Sequence, residues 1–333
     1  MQQTYQKSKF LLSLSLLVLI TLLSGCNPIV AQPPTTTPAL PQPSPVASTL
    51  QISTPATSIT LIDGLGRKVT LKTPAQRVIS LAPSNTEILF ALSAAQQVVG
   101  RDDFSNYPPE ATSLPSIGGI QKHNLEEIVR LQPDLVLAAG INSAEQVKDI
   151  EELGITIFLV SNPKTFEELY TNINTVATLV GKQENATQLV QQMKEQVEKT
   201  QNAVQKVSYK PKVFYELDGS DPTKPWTSGP GTFVDMLINM AGGQNIGASL
   251  QGDWAQISQE ELLVQNPDII LLGDSLFGMT VEEVIQRPGW KEMKAVQEQR
   301  VYPFNDDLVS RPGPRLSTGL FELAKIIHSD LEF

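Results

Sequence analysis

The sequence predicts an α/β protein of two similar lobes with mainly parallel sheets, which are joined by a long helix and enclose a ligand cleft between them. From about residue 59, β-rich apolar runs alternate with amphipathic helical segments, a pattern typical of parallel sheets covered on both faces. A helix–turn–strand pattern occurs twice, at 125–137 and 259–271, with a constant offset of 134 residues. A long helical pattern at 165–207 separates the two copies.

The first 25 residues have the layout of a lipoprotein signal peptide. Two lysines precede an apolar run of 14 residues, Phe10 to Leu23, which is too short to span a bilayer comfortably. The run ends in Leu23-Ser24-Gly25-Cys26, which is similar to the bacterial lipobox, and Cys26 is the single cysteine of the chain. We therefore expect a signal peptide at 1–25 and an exported, lipid-anchored protein of the bacterial cell envelope, facing the periplasm or the outer surface of the cytoplasmic membrane. An ordinary signal peptide with a chance cysteine is the alternative.

The segment 26–57 is rich in proline and carries no charge. The stretch 27–57 holds 8 of the 24 prolines and no Lys, Arg, Asp or Glu. Such a composition cannot bury enough apolar surface to order itself. We expect it to be an extended tether that links Cys26 to the folded part of the chain.

The N-terminal lobe is predicted at 58–164. Its elements, in order, are a hairpin at 59–71, a strand at 77–81, a helix to about 94, a strand at 98–100, a helix from about 125, a strand at 134–138, a helix at 144–153 and a strand at 155–160. Ser84 is followed three residues later by Glu87, which is the pattern of a capping box at the start of the first helix.

Two helical segments at 165–208 connect this lobe to the C-terminal lobe, which is predicted at 209–333. Thr165 and Glu168 form another capping-box pattern, and Gly181 is expected to end the first of the two helices. A helical connection is stiff. We therefore expect the cleft to close only slightly.

Composition excludes several classes of function. Lys and Arg number 25 and Asp and Glu 35, which gives a net charge of −10 and disfavours nucleic-acid binding, because phosphates require clustered cations. One cysteine excludes an intrachain disulfide, and two histidines are too few for an all-histidine zinc site. The chain has neither a Gly-x-Ser-x-Gly elbow nor a Walker loop. We expect no catalytic residues, no metal site and no resident cofactor.

Several motifs of the chain are shared with a known family. They are Arg77-Val78-Ile79-Ser80-Leu81-Ala82-Pro83-Ser84-Asn85-Thr86-Glu87, the Pro133-Asp134 turn, Thr227-Ser228-Gly229, Ala241-Gly242-Gly243-Gln244-Asn245-Ile246 and the Asn266-Pro267-Asp268 turn. With these motifs, nearly all of 59–330 resembles the helical-backbone (class III) periplasmic binding proteins of ABC importers for iron chelates, haem and cobalamin. The segments at 103–109, 225–229 and 254–258 look most like the cobalamin-binding branch.

The resemblance implies a monomeric binding protein that captures a cobalamin-like corrinoid and delivers it to an ABC importer, a permease dimer with its ATPase. A ferric siderophore or haem is the alternative ligand within the same family. Two other classes of function remain open at this point. A chelate-handling enzyme would need a nucleophile or a redox cofactor in the cleft, and a purely structural lipoprotein would not need tryptophans in matching cleft loops.

Candidate ligand contacts lie in loops that follow predicted strands, because clefts of α/β proteins form at the carboxyl ends of strands. They are Pro83, Ser84, Asn85, Phe104, Tyr107, Trp226, Trp254, Asp307 and Arg311. The resemblance matches Phe104, Trp226 and Trp254 to aromatic pocket positions and Asp307 and Arg311 to polar ones. Aromatic side chains suit the flat apolar face of a corrinoid, although each could instead be a packing residue. Trp290 is interpreted as such a packing residue.

Two features bear on the choice of ligand. The chain has Ile120-Gln121 where the cobalamin branch often has a tryptophan, which removes one stacking surface. Haem needs an axial ligand, and His123 lies near the cleft loops, so haem remains a possible ligand. The favoured interpretation of His123 is nevertheless a solvated residue just before a helix. Few arginines are placed to bind an anionic siderophore.

Glu126 and Glu260 occupy equivalent positions in the two copies, each as the second residue after a predicted N-cap, Asn124 or Ser258. The helix dipole alone favours a carboxylate there. The resemblance additionally implies that one exposed glutamate on each lobe pairs with arginines of the dimeric permease. Two symmetric anions on one face suit a two-fold partner.

Overall fold

The computed structural model describes residues 58–332, so the predicted signal peptide, Cys26 and the tether lie outside the described residues. The described residues belong to one compact unit. Within 58–332, no helix combines the length and the apolar character needed to cross a membrane.

The N-terminal lobe is built on a four-stranded parallel sheet with two small antiparallel hairpins. Its strands are β1 (Ile59–Ile62), β2 (Lys68–Leu71), β3 (Val78–Ser80), β4 (Val98–Arg101), β5 (Gly118–Gly119), β6 (Lys122–His123), β7 (Leu135–Ala139) and β8 (Ile157–Val160). Its helices are α1 (Pro83–Ala91), α2 (Leu125–Arg130) and α3 (Ala144–Glu152). The parallel sheet has the order β4-β3-β7-β8, while β1 pairs with β2 and β5 with β6. The antiparallel pairing of β1 with β2 confirms the hairpin predicted at 59–71.

Two helices connect the lobes. They are α4 (Phe166–Val180) and α5 (Gln183–Val204). The Thr165 hydroxyl accepts the N–H of Glu168 and begins α4, but the predicted capping box is incomplete, because the Glu168 carboxylate accepts the N–H of Lys164 instead of that of Thr165. Gly181, with φ of 70°, ends α4 in the left-handed conformation as predicted. Because α5 has 22 residues, it extends for about 33 Å.

The C-terminal lobe contains a mixed six-stranded sheet. Its strands are β9 (Lys212–Asp218), β10 (Trp226–Ser228), β11 (Gln244–Asn245), β12 (Trp254–Gln256), β13 (Ile269–Leu272) and β14 (Val301–Pro303). Its helices are α6 (Phe233–Met240), α7 (Gln259–Gln265), α8 (Val281–Ile285), α9 (Lys294–Gln297) and α10 (Leu316–Ile327). The sheet has the order β12-β10-β9-β13-β14 with β11 beside β9. Strand β10 pairs antiparallel with both β9 and β12, and the other pairs are parallel.

The two lobes repeat one helix–turn–strand unit in detail. Gln132 and Asn266, which are 134 residues apart, both have a φ of 47° at the end of the helix. In the turn that follows, Asp134 accepts the N–H groups of Gln76 and Arg77, and Asp268 accepts the N–H of Lys212. The carboxylate thus ties the start of the central strand to the turn before the neighbouring strand in both lobes.

The hydrophobic core is continuous between the lobes. One cluster of buried side chains extends from Val78 and Leu135 of the N-terminal lobe, through α4 and α5, to Val213 and Leu320 of the C-terminal lobe. Each lobe has a separate cluster on the opposite face of its sheet. Trp290 is fully buried and packs edge-to-face on Phe214, which confirms its interpretation as a packing residue.

Two other local predictions are wrong. Helix α1 begins at Pro83 after Ala82, without a side-chain cap, so Ser84 and Glu87 do not form a capping box. Both residues are buried instead. His123 is only 8% exposed and is therefore not a solvated residue. Its ring lies beside Asn142, with His123 Nε2 and Asn142 Nδ2 3.4 Å apart, and burial lowers the pKa of the imidazole.

Candidate ligand-binding site

A cavity of about 520 Å³ lies between the two lobes. The N-terminal lobe lines it with Ala82, Pro83, Ser84, Phe104, Ile120, Ala139, Gly140, Ile141 and Asn162. The C-terminal lobe lines it with Leu217, Phe233, Trp254, Ser310, Arg311 and Pro312. Most of the N-terminal lining follows the carboxyl ends of β3, β4, β7 and β8, which is where open α/β sheets form ligand clefts.

Both lobes contribute aromatic side chains to this cavity: Phe104 from the N-terminal lobe, and Phe233 and Trp254 from the C-terminal lobe. Phe104 lies in the loop after β4 and is 54% exposed, and Trp254 begins β12 and is 42% exposed. Ile141, which is 56% exposed, adds an aliphatic surface in the loop after β7. Partly exposed apolar side chains at a cavity indicate a surface that an apolar ligand can cover.

A buried polar network holds the loop that carries Phe104. The carboxylate of Asp102 accepts the N–H of Phe104 at 2.8 Å and the hydroxyl of Ser105. The Ser105 hydroxyl also lies 2.8 Å from the hydroxyl of Thr86 on α1. Burial raises the pKa of Asp102, and the hydrogen bond from Ser105 opposes the shift. The network therefore fixes the loop to α1 and presents Phe104 to the cavity.

Four charged side chains form an ion cluster across the lobes, which we call the inter-lobe ion cluster: Glu87, Asp307, Arg311 and Arg315. Glu87 accepts Nε of Arg315 at 2.9 Å, and its Oε1 lies 3.4 Å from Nη1 of Arg311. Arg311 Nη2 lies 2.7 Å from the Asp307 carboxylate. Burial raises the pKa of Glu87, and the two guanidinium groups oppose that shift by favouring the ionised carboxylate.

The loop at Asn106 and Tyr107 completes the contact between the lobes. Arg311 Nη1 donates to Oδ1 of Asn106 at 2.8 Å. The Arg315 guanidinium lies 4.0 Å above the ring of Tyr107, a cation–π contact. On the other side of the inter-lobe ion cluster is a second cavity of about 400 Å³, between α1, α5 and the start of α10.

A family model, described as periplasmic binding protein, matches residues 78–308, which include most of both lobes and most of the cavity lining. This chain belongs to the periplasmic binding protein family. It is therefore a solute-binding protein of an ABC transporter, and its role is binding rather than catalysis, since its relatives are binding proteins. The family and a lipoprotein among the relatives indicate a location outside the cytoplasm.

Relatives in the family bind different ligands. The chain is 34% identical, over 82% of its length and 86% of the relative's, to the uncharacterized ABC transporter substrate-binding lipoprotein YvrC of Bacillus subtilis. It is 32% identical, over 73% of its length and 85% of the relative's, to the vitamin B12-binding protein of Vibrio cholerae. The structure of the periplasmic heme-binding protein RhuT of Roseiflexus matches with a TM-score of 0.70 and 26% identity over 77% of this chain and 98% of that one.

Five of the nine predicted ligand contacts line the inter-lobe cavity of this periplasmic binding protein. They are Pro83, Ser84, Phe104, Trp254 and Arg311. Their role as ligand contacts stays a prediction, but the fold brings them together from distant parts of the sequence.

The other four lie outside the cavity lining. The Asn85 amide donates to the carbonyl oxygens of Leu137 and Ala138, which fixes α1 to β7. Tyr107 lines the second cavity, and Asp307 pairs with Arg311. Trp226 lies on β10 and is 39% exposed, but lines neither cavity.

Sequence reasoning missed several residues of the site. Glu87 and Asn106 are not among the predicted site residues, although both contact Arg311. Ile141 and Phe233 also line the cavity. Ile141 could have been found as an apolar residue in the loop after a buried strand, and Phe233 as an apolar residue that follows the N-cap Thr232 of α6.

The cavity has few groups that could bind a metal or an anion. Its lining contains no His, Cys, Tyr or Met, and Arg311 is its one charged member. Within 58–332 no group of three or more His, Cys, Asp or Glu side chains is placed to hold a metal ion. His123 is buried next to Asn142 and is not part of the lining.

The predicted docking glutamates occupy matching positions in the structure. The side chains of Asn124 and Ser258 cap α2 and α7 by accepting the N–H groups of Glu127 and Glu261. Glu126 and Glu260 follow as the second residue of each helix, and both are exposed. In the described part of the chain, neither takes part in an ion pair.

Proposed function

We propose that this protein is the lipid-anchored solute-binding protein of an ABC importer, which captures a cobalamin-like corrinoid in the inter-lobe cavity and delivers it to the permease. The observation that carries the proposal is the cavity lining. Phe104 and Trp254 supply one aromatic surface from each lobe, and the remaining lining is largely apolar. A flat, uncharged macrocycle with an apolar face fits such a surface.

The chemistry of the lining favours a corrinoid over haem. Haem is held through an axial His, Tyr, Met or Cys, and the lining of this cavity has none of them. A corrinoid that carries its own axial ligands needs no such donor from the protein. The similarity to the Roseiflexus heme-binding protein supports haem as the second candidate, because the two chains share their fold at 26% identity.

The charge of the cavity also disfavours an anionic ferric siderophore. Its single cation, Arg311, already pairs with Asp307 at 2.7 Å and contacts Glu87. An anion would have to compete with both carboxylates for this guanidinium. A neutral ligand avoids that competition.

Delivery to the permease is proposed to use the exposed starts of α2 and α7. Glu126 and Glu260 present one carboxylate from each lobe, and neither is occupied by an ion pair within 58–332. Two equivalent anions match a partner with two-fold symmetry. We further propose that lipidation of Cys26 keeps the protein at the membrane, with 26–57 as the tether.

Isothermal titration calorimetry of the chain from residue 58 tests the ligand. Cyanocobalamin, haem and a ferric catecholate would be titrated under the same conditions. We expect sub-micromolar binding of cyanocobalamin and weaker binding of the other two. Clear binding of haem or of the catecholate, with no heat of binding for cyanocobalamin, would exclude the corrinoid. It would then favour haem or a ferric siderophore as the ligand.

A further inference from the structure

Glu87 lies outside the lining of the inter-lobe cavity, and its carboxylate pairs with two guanidinium groups instead of contacting solvent. Its side chain is 2% exposed, and Arg311 and Arg315 are 13% and 15% exposed. Charges that are this well removed from water interact strongly, because solvent screens them little. Glu87 is therefore coupled to both guanidinium groups.

The inter-lobe ion cluster is balanced in charge. Glu87 and Asp307 contribute two negative charges, and Arg311 and Arg315 contribute two positive charges. Only Arg311 reaches the cavity lining, and it is the single charged residue there. A ligand in the cavity thus meets a guanidinium whose charge is already matched by carboxylates.

We infer that Glu87 determines the specificity of the inter-lobe cavity, because by neutralising Arg311 and Arg315 it favours neutral ligands over anionic ones. The inference rests on the proposed function only in placing the ligand in this cavity. An anion is bound well where a cation lacks a partner, and it is rejected where carboxylates already hold that cation. Removing the charge of Glu87 leaves one guanidinium charge in excess within the inter-lobe ion cluster.

A purely structural role for Glu87 makes a different prediction. If Glu87 only holds the lobes together, its loss lowers stability and weakens all ligands of the cavity to a similar extent. If Glu87 sets specificity, its loss strengthens the binding of anions relative to neutral ligands. The ratio of the two affinities therefore separates the roles, whereas a loss of affinity for cobalamin alone does not.

The experiment compares the wild-type chain with Glu87→Gln, which keeps the size of the side chain and removes its charge. Each protein is titrated with a ferric catecholate, which is anionic, and with cyanocobalamin, which is neutral. We expect the ratio of catecholate to cobalamin affinity to rise about ten-fold or more in the variant. Glu184→Gln is the matched control, because it changes the net charge equally at an exposed position that lines neither cavity.

A second substitution tests whether the gain in catecholate affinity acts through Arg311. Arg311→Gln in the Glu87→Gln background should abolish the gain, because it removes the one cation that reaches the cavity. If Glu87→Gln does not fold, Asp307→Asn leaves the same excess of one positive charge at a position that is 24% exposed, and the same gain is expected.

Different results would overturn the role of Glu87 and the proposed ligand. An unchanged affinity ratio in both carboxylate variants would overturn the inference whichever ligand the wild-type protein prefers. Absence of cobalamin binding in the wild-type protein would overturn the proposed function. The gain in catecholate affinity, measured alone against Glu184→Gln, would still decide the inference.

Discussion

Trp254 and Trp226 are exposed to nearly the same extent, 42% and 39%, and lie on neighbouring antiparallel strands. Only Trp254 lines the inter-lobe cavity. The pair therefore separates a contact with the ligand from the general effect of losing an exposed tryptophan. It also tests the extent of the site, because the sequence predicts both residues as ligand contacts.

We expect Trp254→Ala to weaken cyanocobalamin binding by about 2 kcal/mol, or roughly thirty-fold, since large aromatic side chains dominate apolar contacts. Trp226→Ala should change the affinity by less than about three-fold. Calorimetry of the two variants beside the wild-type chain measures both effects. Equal losses in the two variants would mean that the ligand extends beyond the described cavity.

The sequence predicts the contacts of a residue when its partners are close in the chain, but not when they are distant. The spacing of Ser84 and Glu87 is that of a capping box. In the structure, however, the Glu87 carboxylate accepts hydrogen bonds from Arg311 and Arg315, which lie more than 220 residues later in the chain. A local pattern cannot reveal a partner that only the assembled lobes bring near. The two N-caps at Asn124 and Ser258 were predictable, because their partners lie three residues along the chain.

Helices α2 and α7 are the elements that carry the proposed docking surface. We expect Glu126→Gln and Glu260→Gln together to weaken binding to the permease by about ten-fold or more, because each removes a carboxylate that has no partner within 58–332. Affinity for the ligand should stay that of the wild-type chain, since neither residue lines the cavity. Binding to the reconstituted importer would be measured by surface plasmon resonance.

Glu145→Gln and Glu282→Gln are matched controls for this experiment. Each is an exposed glutamate at the second position of another helix, α3 or α8. They change the net charge and the helix starts in the same way. Equal weakening by the control pair would show that the effect comes from overall charge and not from the starts of α2 and α7.

The turn between α7 and β13 makes the C-terminal lobe sensitive to acid. Burial raises the pKa of Asp268, but hydrogen bonds from Lys294, the N–H of Lys212 and the hydroxyl of Tyr209 outweigh burial and hold the pKa below its ordinary value of 3.8. A carboxylate with a lowered pKa stabilises the fold above the pKa of the unfolded chain. That stabilisation is lost as pH falls through the pKa of the folded chain.

We expect Asp268→Asn to lower the free energy of unfolding by about 2 kcal/mol at neutral pH, because charge-assisted hydrogen bonds to a buried carboxylate are lost. The difference from the wild-type chain should shrink as pH falls below about 4. Urea unfolding between pH 7 and pH 3 measures it, with the exposed Asp149→Asn as control. A difference that does not vary with pH would contradict the role of the charge.

Most elements were predictable because their patterns are local. The alternation of β-rich runs with amphipathic helices, and the repeat at 125–137 and 259–271, both appear in the structure. The antiparallel strands β10 and β12 were not predicted. Each has three residues and lies among Gly, Pro and polar residues, so neither shows an alternation of apolar and polar residues. Their strand conformation depends on pairing with neighbouring strands at one side of the sheet, which the local sequence does not reveal.

At the scale of the whole molecule, the two lobes are held at several independent places. Helix α5 and the continuous core connect them, the inter-lobe ion cluster joins α1 to the segment before α10, and Ser317 of α10 donates to Gln196 of α5 at 2.8 Å. Large rotations would break all of these contacts together. The structure therefore favours small adjustments of the lobes over a wide hinge motion.

Distances between spin labels on the two lobes test this rigidity. The chain from residue 58 has no cysteine, because Cys26 is the only one, so Asp149→Cys and Glu298→Cys give two unique labelling sites. We expect the distance distribution, measured by double electron–electron resonance, to keep its mean when cyanocobalamin is added. A clear shift of the mean, beyond the width of the distribution, would show that the lobes rotate.

The most direct test of the binding site is a crystal structure of residues 58–333 with cyanocobalamin. We expect the corrin ring to lie in the inter-lobe cavity, against Phe104 and Trp254, with no protein side chain bound to cobalt. Arg311 should remain paired with Asp307. A corrin ring bound away from this cavity, or a protein side chain that ligates the metal, would contradict the proposed mode of recognition.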